Sequence, residues 1–187
     1  MRIFDQDKKK DELLQLFAAY NPTVHTGEED GWDWLFDDNE FAIEIINPKG
    51  KIQTDNICIA FEDSVDYEFT FYFSGWHHYY KMNESEYSIF LEQIKGILDN
   101  KICILAAYQP SKSRRKIEDD NVLYILSAKQ FTRDSDKNEI FNVFKDFKSE
   151  YPKICKIEVS YWDSDLSFIV EKQLSVIPKK ALNENLS

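Results

Sequence analysis

Glycine is scarce. The 187-residue chain has five, and none falls in a GxGxxG or GxxxxGK[ST] pattern. Without such a loop the sequence offers no recognisable backbone cradle for a nucleotide phosphate. No serine sits in GxSxG, and no HxH, HExxH or CxxC occurs. The common hydrolase and zinc signatures are therefore missing too. Cysteine is as sparse. Cys58, Cys103 and Cys155 are odd in number, far apart and set in apolar runs ("NICIAF", "KICILAA", "KICKIEV"). They read as three reduced, packed thiols, since a nucleophilic cysteine needs a nearby base and partial exposure.

Long hydrophobic runs are absent as well. No segment approaches the roughly 18 uninterrupted apolar residues that a membrane span needs. The opening "MRIFDQDKKKDE" is charged and has no apolar core of the signal-peptide kind. The expectation is a soluble, cytoplasmic protein with no membrane partner.

Basic charge is missing from one sector. Between Glu28 and Glu68 lie 13 acidic residues and two basic ones, Lys49 and Lys51, which accounts for the whole net charge of −11. The rest of the chain carries 21 charges of each sign. A sector of this kind repels nucleic acid and would attract a basic protein or a cation. A solvated acidic face that aids solubility is the competing explanation.

Apolar material is plentiful: hydrophobic residues make up 43% and aromatics 15%, enough for a real core. Asp7–Tyr20 reads as a helix, with Leu13, Leu16, Phe17 and Tyr20 at i, i+3, i+4, i+7 and Asn21-Pro22 as the stop. Strands are expected over about 41–46, 56–61, 68–76, 101–108, 122–126, 153–161 and 166–171. Helices are expected over about 84–98, with Asn83 and Glu86 as a capping box, and over about 136–150. Short turns between the early strands favour antiparallel pairing. The chain therefore reads as one α+β domain over residues 1–178: a mainly antiparallel sheet with helices packed mostly on one face, then a polar tail at 179–187.

The stretch "EFTFYFSGWHHYY", Glu68–Tyr80, carries two of the three histidines. On a continuous strand Phe69, Phe71 and Phe73 take one face and His77 continues it. His78 then lies opposite with Tyr72, Trp76 and Tyr80. Neighbouring histidines on a strand point apart, so His77 and His78 cannot share a metal unless Gly75 bulges the strand or the strand ends before them. No metal, cofactor or catalytic residue is assigned on these grounds. If helices cover only the phenylalanine face, the Tyr–Trp face is free to bind; if both faces are covered, it is core.

At these residues the sequence is similar to small immunity proteins of bacterial polymorphic-toxin systems. The likeness runs from "FYFSGWHHYY" through "YSIFLEQIKGILDNKICILAAY", about residues 68–108, and the matching positions are Phe73, Trp76, His77 and Tyr79–Tyr80. It implies a non-catalytic protein that binds and neutralises a cognate toxin. Residues and resemblance together give the expected site: Trp32, Trp34, Asp37 and Asp38 of the acidic segment, joined by Trp76, His78 and Tyr80, facing a basic protein partner such as a toxin. The alternative is a small enzyme that uses His78 with a carboxylate.

Overall fold

A computed structural model describes residues 4–28, 40–50, 52–61, 68–109, 122–147, 149–151 and 153–172, and among these lie nine short strands and three α-helices. Helix α1 spans Gln6–Leu16, with the Asp5 carboxylate accepting from the Lys8 amide as its N-cap. It tightens into a 3₁₀ turn at Ala18–Tyr20, short of the full span its apolar stripe suggested. Strands β1 (Thr23–His25), β2 (Phe41–Ile45), β3 (Ile57–Phe61), β4 (Glu68–Phe73) and β5 (Trp76–Lys81) form one antiparallel sheet in sequence order. Helix α2, Glu84–Leu98, follows, capped by Asn83 accepting from the Glu86 amide. Strands β6 (Cys103–Tyr108), β7 (Val122–Ser127), β8 (Lys156–Ser160) and β9 (Phe168–Glu171) form a second antiparallel sheet, ordered β7-β6-β8-β9. Helix α3, Lys137–Asn142, lies between β7 and β8 and gives way to a 3₁₀ turn at Lys145–Phe147.

The architecture is α+β and antiparallel, as the pattern of short strands implied. The strands divide between two sheets, and the expected strand over 68–76 is a hairpin.

The five-stranded sheet is organised by a row of rings. Phe41, Phe61, Phe69 and Tyr80 are register partners on four adjacent strands. Their rings stack in sequence with centroids 4.7, 5.2 and 5.3 Å apart and planes within 17° of parallel. That spacing is close to the roughly 4.7–4.9 Å between paired strands, so the pleat itself delivers the stack. From α2, Phe90 meets Phe69 and Tyr80 edge-on at 5.1 and 5.5 Å. Each aromatic pair contributes about 0.5–1.5 kcal/mol beyond the area it buries, and a register slip would lose the row at once.

Helices α1 and α2 cover this phenylalanine face, through Leu13 of α1, Phe17 at its C-cap, and Tyr87, Phe90, Ile94 and Ile97 of α2. Lys9 ties the two helices together: its ammonium donates to Glu12 and Glu84 at 3.1 Å each and lies 4.2 Å from the centre of the Tyr87 ring. Ile104 of the second sheet joins the same core. The second sheet's other face, with Leu105, Ile157 and Val159, packs on Ile140, Phe141 and Phe144 in a separate cluster.

A polar lock joins the sheets at one end. The buried Asn47 side chain donates to the Trp162 carbonyl at 2.8 Å and accepts from the Lys49 amide. The Lys49 ammonium bridges Asp163 and Asp165, each at 2.9 Å. The "NPKG" turn between β2 and β3 thus docks on "WDSD" (Trp162–Asp165), which makes it a tertiary contact as well as a turn.

Candidate functional site

The chain reverses at Ser74-Gly75. Both residues have positive φ, 51° and 76°, the mark of the tight two-residue turn that matches strand twist. Phe73 therefore faces Trp76 across the hairpin, Phe71 faces His78 and Phe69 faces Tyr80. Cross-strand partners share a face, so Trp76, His78 and Tyr80 lie on the phenylalanine side of the sheet. His77 and Tyr79 take the other side with Thr70 and Tyr72. This corrects the face assignment that followed from a continuous strand. A two-residue turn shifts the parity of everything after it.

The correction decides Tyr80. It is 1% exposed, ends the ring row, and donates its hydroxyl to the Gln93 side-chain oxygen of α2. Burial, helped by the Glu86 charge, raises its phenol pKa and keeps it neutral. Tyr80 is core and is removed from the expected binding surface. Trp76 is half-buried, with its ring edge-on to Phe71 at 5.7 Å. His78 is exposed. Its ring stacks on Trp76 at 5.9 Å and meets Tyr80 edge-on at 4.7 Å. Trp32, Trp34, Asp37 and Asp38 lie outside the described residues.

Two residues outside the expected binding set, His77 and Tyr79, emerge on the opposite side. Tyr79 is 52% exposed and His77 is exposed, and their rings meet at 5.5 Å. The signal that could have found them is the Ser-Gly dipeptide between two alternating runs, a turn signature in its own right.

Among the described residues, His25 is an imidazole with a carboxylate partner. Its Nε2 lies 3.2 Å from the Glu44 carboxylate. The other Glu44 oxygen accepts from the Asn56 amide at 2.8 Å, and Asn56 in turn accepts from the Asn47 backbone. A chain of polar contacts thus runs from the outer face of the first sheet to the inter-sheet lock. Cys58 is opposite Glu44, while His25 is opposite Ala42. Thiol and imidazole are thus two strands apart and offset along the sheet, which is no nucleophile–base pair. Among the described residues no group of three or more His, Cys, Asp and Glu converges to hold a metal.

The topology gathers the acidic sector. His25, Phe41, Phe61, Glu68 and Lys81 all lie at one end of the first sheet, as the register requires. The links that leave and return there are those carrying the acids. Seven carboxylates lie in residues 28–40 and four in 62–68, with no basic residue in either. Glu84 and Glu86, in the first turn of α2, are at the same end.

No family model, curated protein or solved structure matches the chain. No helix among the described residues is long and apolar enough to cross a membrane.

Proposed function

We propose that the chain is a non-catalytic protein-binding domain whose acidic end receives a basic partner, the role an immunity protein plays when it neutralises a toxin. The observation that carries the reading is the attachment of both base-free acidic links at one end of the first sheet. That end adjoins a strand whose His77, His78 and Tyr79 are exposed. Concentrated charge of one sign steers association and rejects wrong partners, while exposed aromatics supply the contact that holds a complex. A solubility role needs the charge but not the aromatics. A nuclease toxin, with a cleft built to attract phosphates, fits the charge.

The test is affinity capture from the source cells with the full chain as bait, at low and high salt, with the eluate identified by mass spectrometry. The expected result is a basic protein, retained at low salt and weakened by Asp37→Asn with Asp38→Asn. Retention that ignores both salt and the double variant would contradict an electrostatic site.

A further inference from the structure

We propose that β5 accepts an extended, basic segment of a partner protein as a sixth strand of the five-stranded sheet. The inference rests on the protein-binding reading above and adds to it the mode of docking and the chemistry of the segment that docks.

The two edges of the sheet are built differently. β1 has three residues, follows Pro22, and has its His25 engaged with Glu44. Short length and an adjacent proline are ordinary ways of blunting an edge. β5 has six residues in unbroken register with β4, from Trp76 opposite Phe73 to Lys81 opposite Glu68, with no bulge and no proline. Among the described residues no strand pairs with its outer side. Lys81, at its very end, is the one edge-protecting residue on it.

The hairpin dictates which backbone groups are offered. The pair that closes a two-residue turn is the hydrogen-bonded kind, and pairs then alternate. Trp76, His78 and Tyr80 therefore turn their amides and carbonyls toward β4. Those of His77, Tyr79 and Lys81 point away from the sheet. Among the described residues His77 and Tyr79 leave both groups open, while Lys81 offers its amide alone because its carbonyl accepts from the Asn83 amide at 2.7 Å. All three side chains are exposed.

Both sides of an added strand would find contacts. On the outer face its side chains would neighbour His77 and Tyr79. On the inner face they would neighbour His78 and the α2 stripe of Glu86, Ile89 and Gln93, which the Tyr80–Gln93 hydrogen bond fixes beside β5. Ile89 on that stripe is 43% exposed. The charge around the C-terminal end of β5 selects a basic segment. Glu68 is the register partner of Lys81, Glu84 and Glu86 follow in the first turn of α2, and both acidic links attach to the sheet at this end. Of the α1 cations, Lys9 is already held by Glu12 and Glu84, and Lys10 lies over the Phe41 ring.

The test uses the full chain and a short peptide of alternating valine and threonine with a lysine pair at one end. A second peptide carries a glutamate pair instead. Amide hydrogen exchange is followed residue by residue. The lysine peptide, at about ten times its Kd, should slow exchange at His77, Tyr79 and Lys81 by about tenfold. The glutamate peptide should not, and Tyr79→Pro, which removes an outward amide that β4 does not use, should abolish the effect. His77→Pro, at another outward amide, repeats the test if Tyr79→Pro does not fold. Slowed exchange at those amides in the free protein, with a dimer in sedimentation, would overturn the proposal in favour of a second copy. Unprotected amides with both peptides would overturn it outright. Capture of the basic partner by Tyr79→Pro as tightly as by the natural chain would sink strand addition while leaving the protein-binding reading standing. Loss of all salt-sensitive capture by the natural chain would sink that reading first.

Discussion

Tyr79 and Tyr80 are neighbours in the chain and opposites in the fold. Tyr80 is sealed between Phe69, Phe90 and Gln93, while Tyr79 stands more than half exposed beside His77. The two tyrosines differ because the pleat sends alternate side chains to opposite faces, and among the described residues the helices α1 and α2 pack on the face that holds Tyr80. The described residues clustered on the other face are Ala42, Ala60, Cys58 and Tyr72, with no helix among them. Aromatic content alone thus identifies neither the core nor the exposed face; the parity set by the Ser74-Gly75 turn does.

Breaking the inner face should cost most. Tyr80→Ala removes the last rung of the ring row and leaves the Gln93 oxygen facing a cavity. We expect a loss of about 3 kcal/mol or more, read as a lower urea midpoint with unchanged slope. A change below about 1 kcal/mol would mean that Tyr80 is not core. The turn comes next. Gly75→Ala places a Cβ at positive φ and 2.8 Å from the Tyr124 hydroxyl, for a cost of about 1–3 kcal/mol. Ser74→Gly relieves the other positive φ and should stabilise by up to about 1 kcal/mol. If both variants melt like the natural protein, the hairpin is wrong.

A pH experiment sharpens the same contrast of inside against outside. Burial pushes the Cys103 thiol from its usual 9.0 up to about 11, with Tyr161 hydrogen bonding pulling partly the other way. Because the folded value is the higher, the stabilisation is intact below about pH 9 and is lost as pH rises toward 11. Cys103 should resist a thiol reagent until the domain unfolds, and Cys58 and Cys155, both half-buried, should react before it. Modification of Cys103 in the folded protein at neutral pH would argue against the second cluster. The smallest effect belongs to Tyr79→Ala, expected within about 0.5 kcal/mol of natural stability.

Much of this is legible in the sequence. The Asn83 cap and the apolar stripe of α2 follow from spacing, and so do the apolar runs of β3 and β6, because local periodicity fixes them. The second sheet was not legible. Strand partnership between β6 and β8 is non-local, and nothing within 103–108 says whether it joins β4 or β8. The faces of β5 were lost to one turn: taking "SG" as part of a strand inverted Trp76, His77, His78 and Tyr80 together. Trp76 and His78 remain candidates at the strand's rim, Tyr80 does not, and His77 and Tyr79 take its place. The shortened α3 reflects tertiary competition, since Phe144 still reaches the core from beyond the helix end.

The most direct test of the central claim is the association rate of the captured partner at low and high salt, for the natural chain and for Asp37→Asn with Asp38→Asn. The account predicts that the double variant associates more slowly at low salt. The gap should close as the Debye length falls from about 10 Å at 0.1 M toward about 3 Å at 1 M, with dissociation nearly unchanged. Equal association rates at low salt would contradict it and leave the acidic sector as a solvated face.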